Sequence, residues 1–422
     1  MNSFPDFFSL FKHRNFRIFF IGQFTSLCGT WTQRVAEAWL AYQLTHSVLW
    51  LGIISFTGLF PGVISNLFAG AIIDRTDRRK FIIVTQILLL VQAATLCVLT
   101  YSELITIEIL LCLSVFQAIV SGSDMPARQT FLVELVERTE LSKAIALNSL
   151  MINAGRIIGP VLAGILLPFM GISFAFGFNA ATYFAVIIGL ILVTTNSVIE
   201  NKEREPFLKQ IRSGASYVKN HDVIFYFLVL FALCNFLGMF YSSLLPVFSV
   251  EKFNWKAGGY SLLMAASGVG ALTGAYILGS KVNPQNLKKI LIYSSFTLGF
   301  ALICLALSPN IWLAIISLIF GGFSMMLQIA GTNTLLQLET NDIMRGRVMS
   351  IYTFTFTSMA PLGNLAAGWV AEQTFTELPL YIGGVSLIFI SQFYQKKSNL
   401  KKLFIPAMIR KGKETVVKLY YS

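Results

Sequence analysis

The sequence predicts an all-α membrane protein: twelve transmembrane helices in two pseudo-symmetric six-helix bundles. Three observations predict it: the composition, a series of charge-free runs of membrane-spanning length, and the placement of Lys and Arg. Of 422 residues, 55% are apolar and only 12% are charged, where soluble domains carry about 25% charged residues. Mean hydropathy is +0.69. A soluble fold of this length could not cover its surface, so a soluble enzyme, a disordered chain and a nucleic-acid module with one basic face are all excluded.

A helix crosses the hydrocarbon layer in about 20 apolar residues. Phe81–Ser102, Val223–Val250 and Ala257–Ser280 carry no charge. Ile157–Ile199 is too long for one crossing and breaks at Pro168-Phe169-Met170-Gly171; Ile290–Leu338 breaks at Ser308-Pro309-Asn310. In order, the expected spans are 18–42, 48–72, 81–101, 104–126, 144–167, 174–195, 223–248, 258–280, 288–307, 311–334, 347–371 and 378–395. The short alternating segments of a membrane β-barrel are missing. The first apolar stretch is too long for a signal-peptide core and lacks a small-residue cleavage site. The five cysteines (28, 97, 112, 234 and 304) sit in apolar runs without metal-ligand spacing and read as small core hydrophobes.

With a cytoplasmic N-terminus, 28 of the 32 Lys and Arg fall in cytoplasmic segments, and only Lys252 and Lys256 fall outside. By the positive-inside rule both termini are cytoplasmic, so the net charge of +12 reflects topology and calls for no nucleic-acid partner. The expected organisation is an N-terminal bundle (1–195), a cytoplasmic linker (196–222), a C-terminal bundle (223–395) and a basic cytoplasmic tail (396–422). The tail interleaves Lys and Arg with Leu403, Phe404, Ile405, Met408 and Ile409. It reads either as an amphipathic segment on anionic lipid or as a disordered basic tail. Displacing the second half by 204 residues aligns Gly70-Ala71 with Gly274-Ala275, Thr130 with Thr334, Lys143 with Arg347, and Gly159 and Gly164 with Gly363 and Gly368. Parallel repeats of this kind place a cavity between the halves near the bilayer midplane.

After the second span comes Gly70-Ala71-Ile72-Ile73-Asp74-Arg75-Thr76-Asp77-Arg78-Arg79-Lys80. It resembles the G-x-x-x-D-R-x-G-R-K/R loop of the major facilitator superfamily, with Asp77 in place of the second Gly. That variant, with Pro126-Ala127-Arg128-Gln129 and Asn148-Ser149-Leu150, is similar to the subgroup of enterobactin-type siderophore exporters and macrolide-efflux proteins. The resemblance implies the major facilitator fold and a loop (Gly70, Asp74, Arg75, Arg78, Arg79, with Arg128) that latches the halves when the cavity faces outward. Physically, Gly70 permits close helix approach, Asp74 can accept from helix amides or Arg128, and the arginines can sit at anionic lipid. Alternatively, the basic residues only fix topology. In span five, Gly155-Arg156-Ile157-Ile158-Gly159-Pro160 and Gly164 resemble an antiporter motif of the superfamily, with Ala163 replacing one Gly. Gly155 and Gly159 share a face suited to tight contact, and Pro160 would bend the helix; generic small-residue packing is the other reading.

Ionisable groups inside a membrane are costly and tend to face cavities or partners. Arg156, midway through span five, is the first substrate-contact candidate; it can instead tie to Glu37, Gln117 or Asn153. A guanidinium stays protonated and suits an anionic or catecholate-like ligand. Gln33, Arg34 and Glu37 lie on span one, where Arg34 and Glu37 can pair at three-residue spacing. Glu37 is the leading proton-carrier candidate unless it is solvated at the outer interface. Glu108, at the start of span four, is either a second carrier or simply interfacial. Spans seven to twelve hold no buried charge, so Asn235, Gln328, Asn333 and Asn364 are their candidate polar contacts.

The expected function is secondary active transport: proton-coupled export of an amphipathic siderophore, drug or metabolite by a single chain, acting as a monomer in a bacterial inner membrane. The alternatives are an uptake carrier of the same fold and a membrane-embedded lipid-handling protein. Only three His exist, and no nucleophile–base pair, acidic metal cluster or phosphate-cradling loop stands out. Neither enzyme chemistry nor a cofactor or metal is expected.

Overall fold

The computed structural model describes residues 7–73, 76–137, 139–194, 207–281 and 283–398, with their side chains except at a few positions, Asn153 among them. Lipid offers the backbone no hydrogen-bond partners, so each crossing must satisfy its own amides, which a helix does. The described residues accordingly form helices and no strands.

The first half contains α1 (Arg14–Thr45), α2 (Val48–Thr57), α3 (Phe60–Ile73), α4 (Arg78–Tyr101), α5 (Ile107–Glu134) and α6 (Leu141–Leu192). After α7 (Phe207–Lys219) come α8 (Asp222–Gly238), α9 (Phe240–Val247), α10 (Ala257–Lys281), α11 (Leu287–Leu307), α12 (Ile311–Glu339), α13 (Asp342–Gln373) and α14 (Leu378–Ser398). The second span is α2 plus α3, and the seventh is α8 plus α9 with a π turn at Phe248–Lys252. Helix α6 holds two crossings: dihedrals stay helical through Pro160, and the chain reverses at Gly171, whose φ of 83° is open to glycine and strained for other residues. The break between the fifth and sixth crossings therefore falls within the expected 168–171 segment, at Gly171.

Eight runs are long and apolar enough to cross a membrane, among them 143–192, which is long enough for two crossings. Helices α1, α13 and α14 are of comparable length and complete the set of twelve. Side-chain caps set several starts: Ser47, Asp77, Thr106, Asn310 and Asn341 each accept from a backbone amide in the first turn. The linker expected at 196–222 is partly helical. It contains α7, whose Gly214 packs on Arg347 and Ile351 of α13 and whose Ser213 accepts from Arg347 at 2.9 Å.

The repeat is visible as packing. A Cβ on Gly159 would meet Cys28 O of α1 at 3.0 Å, and one on Gly363 would meet the Phe236 carbonyl carbon of α8 at 3.0 Å; each contact lies within its own half. A Cβ on Gly164 would lie 2.9 Å from Ser261 Cβ on α10, and one on Gly368 would lie 3.0 Å from Gly52 Cα on α2; each of these crosses to the other half. Small residues let helices approach where lipid gives no hydrophobic drive.

Buried apolar residues show where the halves meet. At the end carrying the 46–47, 253–256 and 374–377 turns, one cluster includes Val35, Leu40, Leu51, Ile54 and Leu167 of the first half with Leu244, Phe248, Tyr260 and Ala371 of the second. At the basic end each half has its own cluster: Leu10, Phe16, Ile73, Ile82 and Phe131 in one, and Ile224, Leu228, Phe231, Leu336 and Val348 in the other. The bundle is sealed at the first end and divided at the basic end.

Candidate functional site

Helix α1 lies against α6 because Gly155 and Gly159 leave room for Leu27 and Trp31, and Thr32 Oγ1 donates to the Gly159 carbonyl at 3.1 Å. That seam fixes Trp31 beside Arg156. The Arg156 guanidinium carbon is 5.6 Å from the Trp31 ring centre and 5.8 Å from that of Phe356 on α13, so one side chain touches both halves. Arg34 lies 4.7 Å from the same Trp31 ring, placing the two guanidinium carbons at most about 10 Å apart. At that separation two positive charges repel by roughly 1.7 kcal/mol at an effective dielectric of 20. A guanidinium–ring contact contributes about 0.5–2 kcal/mol, so the ring faces can hold the pair together without an acid. Arg156 Nε is sealed from solvent and has no hydrogen-bond partner. Tyr352, one turn before Phe356, donates to Ile329 O at 2.8 Å.

Glu37 forms no salt bridge with Arg34, contrary to the expectation from spacing, although the two charges are near enough to attract. Its carboxylate accepts from Gln33 Nε2 at 2.8 Å. Gln33 also donates to Gln92 of α4 at 3.1 Å and accepts from Asn179 of α6 at 2.6 Å. All four are buried, so a single carboxylate is held inside the first half by three amide side chains. Glu37 is therefore not solvated at an interface. Nor does it tie Arg156 down, and Gln117, the other described candidate for that tie, is buried with Nε2 unpartnered.

The remaining predicted residues fall in varied places. Glu108 is exposed on the first turn of α5, which removes it as a buried proton carrier. Gln328 turns to α11, donating to Leu291 O at 2.5 Å and Ser294 Oγ at 2.9 Å; it braces two helices of the second half and does not face the first. Asn235 is fully buried and donates to Phe231 O of its own helix. Asn364 lies in the α2–α13 seam, its backbone carbonyl against Gly52. A Cβ on Gly70 would meet nothing within 4 Å, so the expected close helix approach there is absent. Asp74 and Arg75 lie outside the described residues, as does the Asn153 side chain.

The described arginines of the loop region are engaged within the first half instead of lying at lipid. Arg78 pairs with Glu134, and Arg79 donates to the Leu190 and Ile191 carbonyls at 2.7 Å each, closing the C-terminus of α6. Arg128 holds Asp124 and Gln23. Asp124, 3% exposed, also accepts from Thr85 at 2.5 Å and Gln86 at 3.3 Å. Sequence reasoning missed this carboxylate, although it ends a run free of charge since Glu108 and precedes Pro126.

The sealed end has polar ties between halves. Glu372 of α13 accepts from Ser47 Oγ at 3.0 Å and from Leu49 N at 3.1 Å, capping the N-terminus of α2. Tyr42 of α1 donates to Glu251 at 3.1 Å.

A family model described as "Transmembrane secretion effector" matches residues 6–410. A staphyloferrin A transporter of Staphylococcus aureus is 28% identical over 91% of this chain and 97% of its own. An enterobactin exporter of Salmonella paratyphi A is 25% identical over 90% of this chain and 92% of its own. Among solved structures, a mutant peptide transporter superposes with a TM-score of 0.74 at 10% identity, covering 91% of this chain and 94% of the other; that likeness concerns the fold.

Proposed function

The chain belongs to the transmembrane secretion effector family of the major facilitator superfamily, and from that premise we propose that it is a proton-coupled exporter of an amphipathic small molecule, working by alternating access. It is a membrane transporter and not an enzyme. The observation that carries the reading is the cluster of Trp31, Arg34, Arg156 and Phe356, which joins the halves at mid-span below a sealed end and above a divided one.

With the basic end cytoplasmic, as the positive-inside rule requires, this conformation receives cargo from the cytoplasm. Outward opening then breaks the Glu372 cap on α2, the Tyr42–Glu251 bond and the glycine seams at Gly52–Gly368 and Gly164–Ser261. As the basic ends close, the 70–80 loop comes against the second half and acts as the latch. Glu37 carries the coupling proton: its carboxylate is hydrogen-bonded by the Gln33 amide and attracted by Arg34 from beyond salt-bridge distance, so it can bind and release a proton without breaking a contact ion pair. The chain acts as a monomer in a bacterial inner membrane with both termini cytoplasmic. The names of the two relatives, one a transporter and one an exporter of siderophores, support export of this cargo class.

The test is a gradient-collapse assay in inverted vesicles with catecholates, macrolides and cationic dyes. Cargo of this carrier discharges an acid-inside pH gradient and enters the vesicles. Entry unaffected by a protonophore would refute proton coupling.

A further inference from the structure

We infer that the space between the halves selects organic dianions: an apolar or aromatic scaffold bearing two oxyanion groups, one for Arg34 and one for Arg156. The inference rests on reading that cluster as the cargo site and narrows it to one charge class.

The other inward-facing arginines set the contrast. Arg78 has Glu134 and Arg128 has Asp124; even the exposed Arg345 has Asp342 at 2.6 Å. Arg34 and Arg156 make no ion pair or hydrogen bond with another described residue, and both lie against one indole. Glu37, the nearest carboxylate in sequence, is engaged by Gln33. Even when ionised it offsets one positive charge of two. An unpaired guanidinium in a low-dielectric setting is costly, and two on one ring repel each other. Ring faces can position such groups, but they satisfy none of the N–H donors, which a guanidinium presents as a fork matched to a carboxylate. Arg156 Nε remains an orphan donor. An anion with two acceptor groups satisfies both forks, removes their repulsion and places its scaffold against Trp31 and Phe356. A cation meets the reverse: two like charges set against one carboxylate, Glu37, which Gln33 already engages. Because Arg156 touches Phe356 of the second half, the bound anion lies where the halves move relative to one another.

The experiment uses the full chain in lipid nanodiscs and three probes on one benzene ring: isophthalate (two negative charges), benzoate (one) and protonated 1,3-bis(aminomethyl)benzene (two positive). Calorimetry is expected to rank isophthalate above benzoate, with no saturable binding of the diamine. Arg34→Gln and Arg156→Gln each lower isophthalate affinity about 10- to 100-fold, the worth of a charge-assisted contact, and bring it close to that of benzoate. Arg156→Lys keeps the charge and loses the fork, so it falls between. Equal or reversed ranking of the probes in the wild-type chain overturns the inference, as does absence of isophthalate binding at millimolar concentration; neither result depends on a variant folding. The export reading fails separately. Isophthalate binding without gradient-driven movement of any cargo overturns export and leaves the charge class standing. Gradient-driven movement of a cationic dye with no anion binding does the opposite.

Discussion

Removing the Glu372 carboxylate should open the sealed end. The side chain reaches from α13 to the first turn of α2 and accepts from Ser47 Oγ at 3.0 Å and Leu49 N at 3.1 Å. A negative charge at a helix N-terminus contributes about 0.3–1 kcal/mol, and a hydrogen bond contributes about 0.5–1.5 kcal/mol net. Glu372 is exposed, so solvent screening holds the total towards the low side, about 1–2 kcal/mol for Glu372→Ala. That corresponds to a rise of roughly 5- to 30-fold in the ratio of outer-open to outer-closed molecules. Glu372→Gln keeps an acceptor and loses the charge; it should shift the ratio less, by roughly 2- to 5-fold, equivalent to about 0.5–1 kcal/mol. Helix α2 itself survives, because Ser47 Oγ also accepts from Trp50 N at 3.4 Å, so the effect reads on the seam between halves. Spin labels at Tyr101 and Trp312, both exposed where α4 and α12 reach the sealed end, report the separation by double electron–electron resonance. A longer-distance population should grow in the order wild type, Gln, Ala. Identical distance distributions in all three would refute the assignment of Glu372 as a tie between halves.

Other perturbations separate packing from transport. Gly159→Val presses a side chain onto Trp31 and the Cys28 carbonyl and should cost about 1–3 kcal/mol of stability by overpacking, lowering the thermal midpoint in detergent, whereas Gly70→Ala, with open space around its Cβ, should not move it. Asp124→Asn leaves Arg128 without its carboxylate and should lower the same midpoint; an unchanged value would show that the Gln23, Thr85 and Gln86 contacts suffice. Glu37→Gln preserves shape and hydrogen bonding but cannot titrate, so cargo exchange should persist while proton release on cargo addition disappears. Asp74→Asn should reduce transport with membrane insertion intact, and wild-type transport by a normally expressed variant would count against the latch.

Much of the fold is legible because the bilayer enforces it. A run such as Ala257–Ser280 has no stable alternative to a helix in lipid, so composition alone places α10 within a residue or two. Glycines spaced for packing, Gly159 with Gly164 and their counterparts Gly363 with Gly368, are legible for a related reason: close contact requires small residues whatever the partner. The partners themselves are not legible. Glu37 has Arg34 three residues away and Gln33 four residues away, and local geometry permits either. The choice is made by Gln92 and Asn179, which lie on helices distant in sequence and anchor Gln33 from two sides. Gln328 looked like a cavity wall because it is polar, yet Ser294 and a backbone carbonyl on α11 claim it. Asp124 escaped notice because it stands near a span end, where a carboxylate usually meets water. Helix α7 was hidden by the charges of its own linker.

Alternating access requires the Arg156 site to open to each side of the membrane in turn. A cysteine at Phe356, in a chain otherwise freed of cysteine, can be challenged with a membrane-impermeant maleimide in right-side-out and inverted vesicles, with and without a pH gradient. The prediction is labelling from the cytoplasmic face at rest and from the outer face once the gradient and cargo are supplied. Labelling confined to one face under every condition would contradict it.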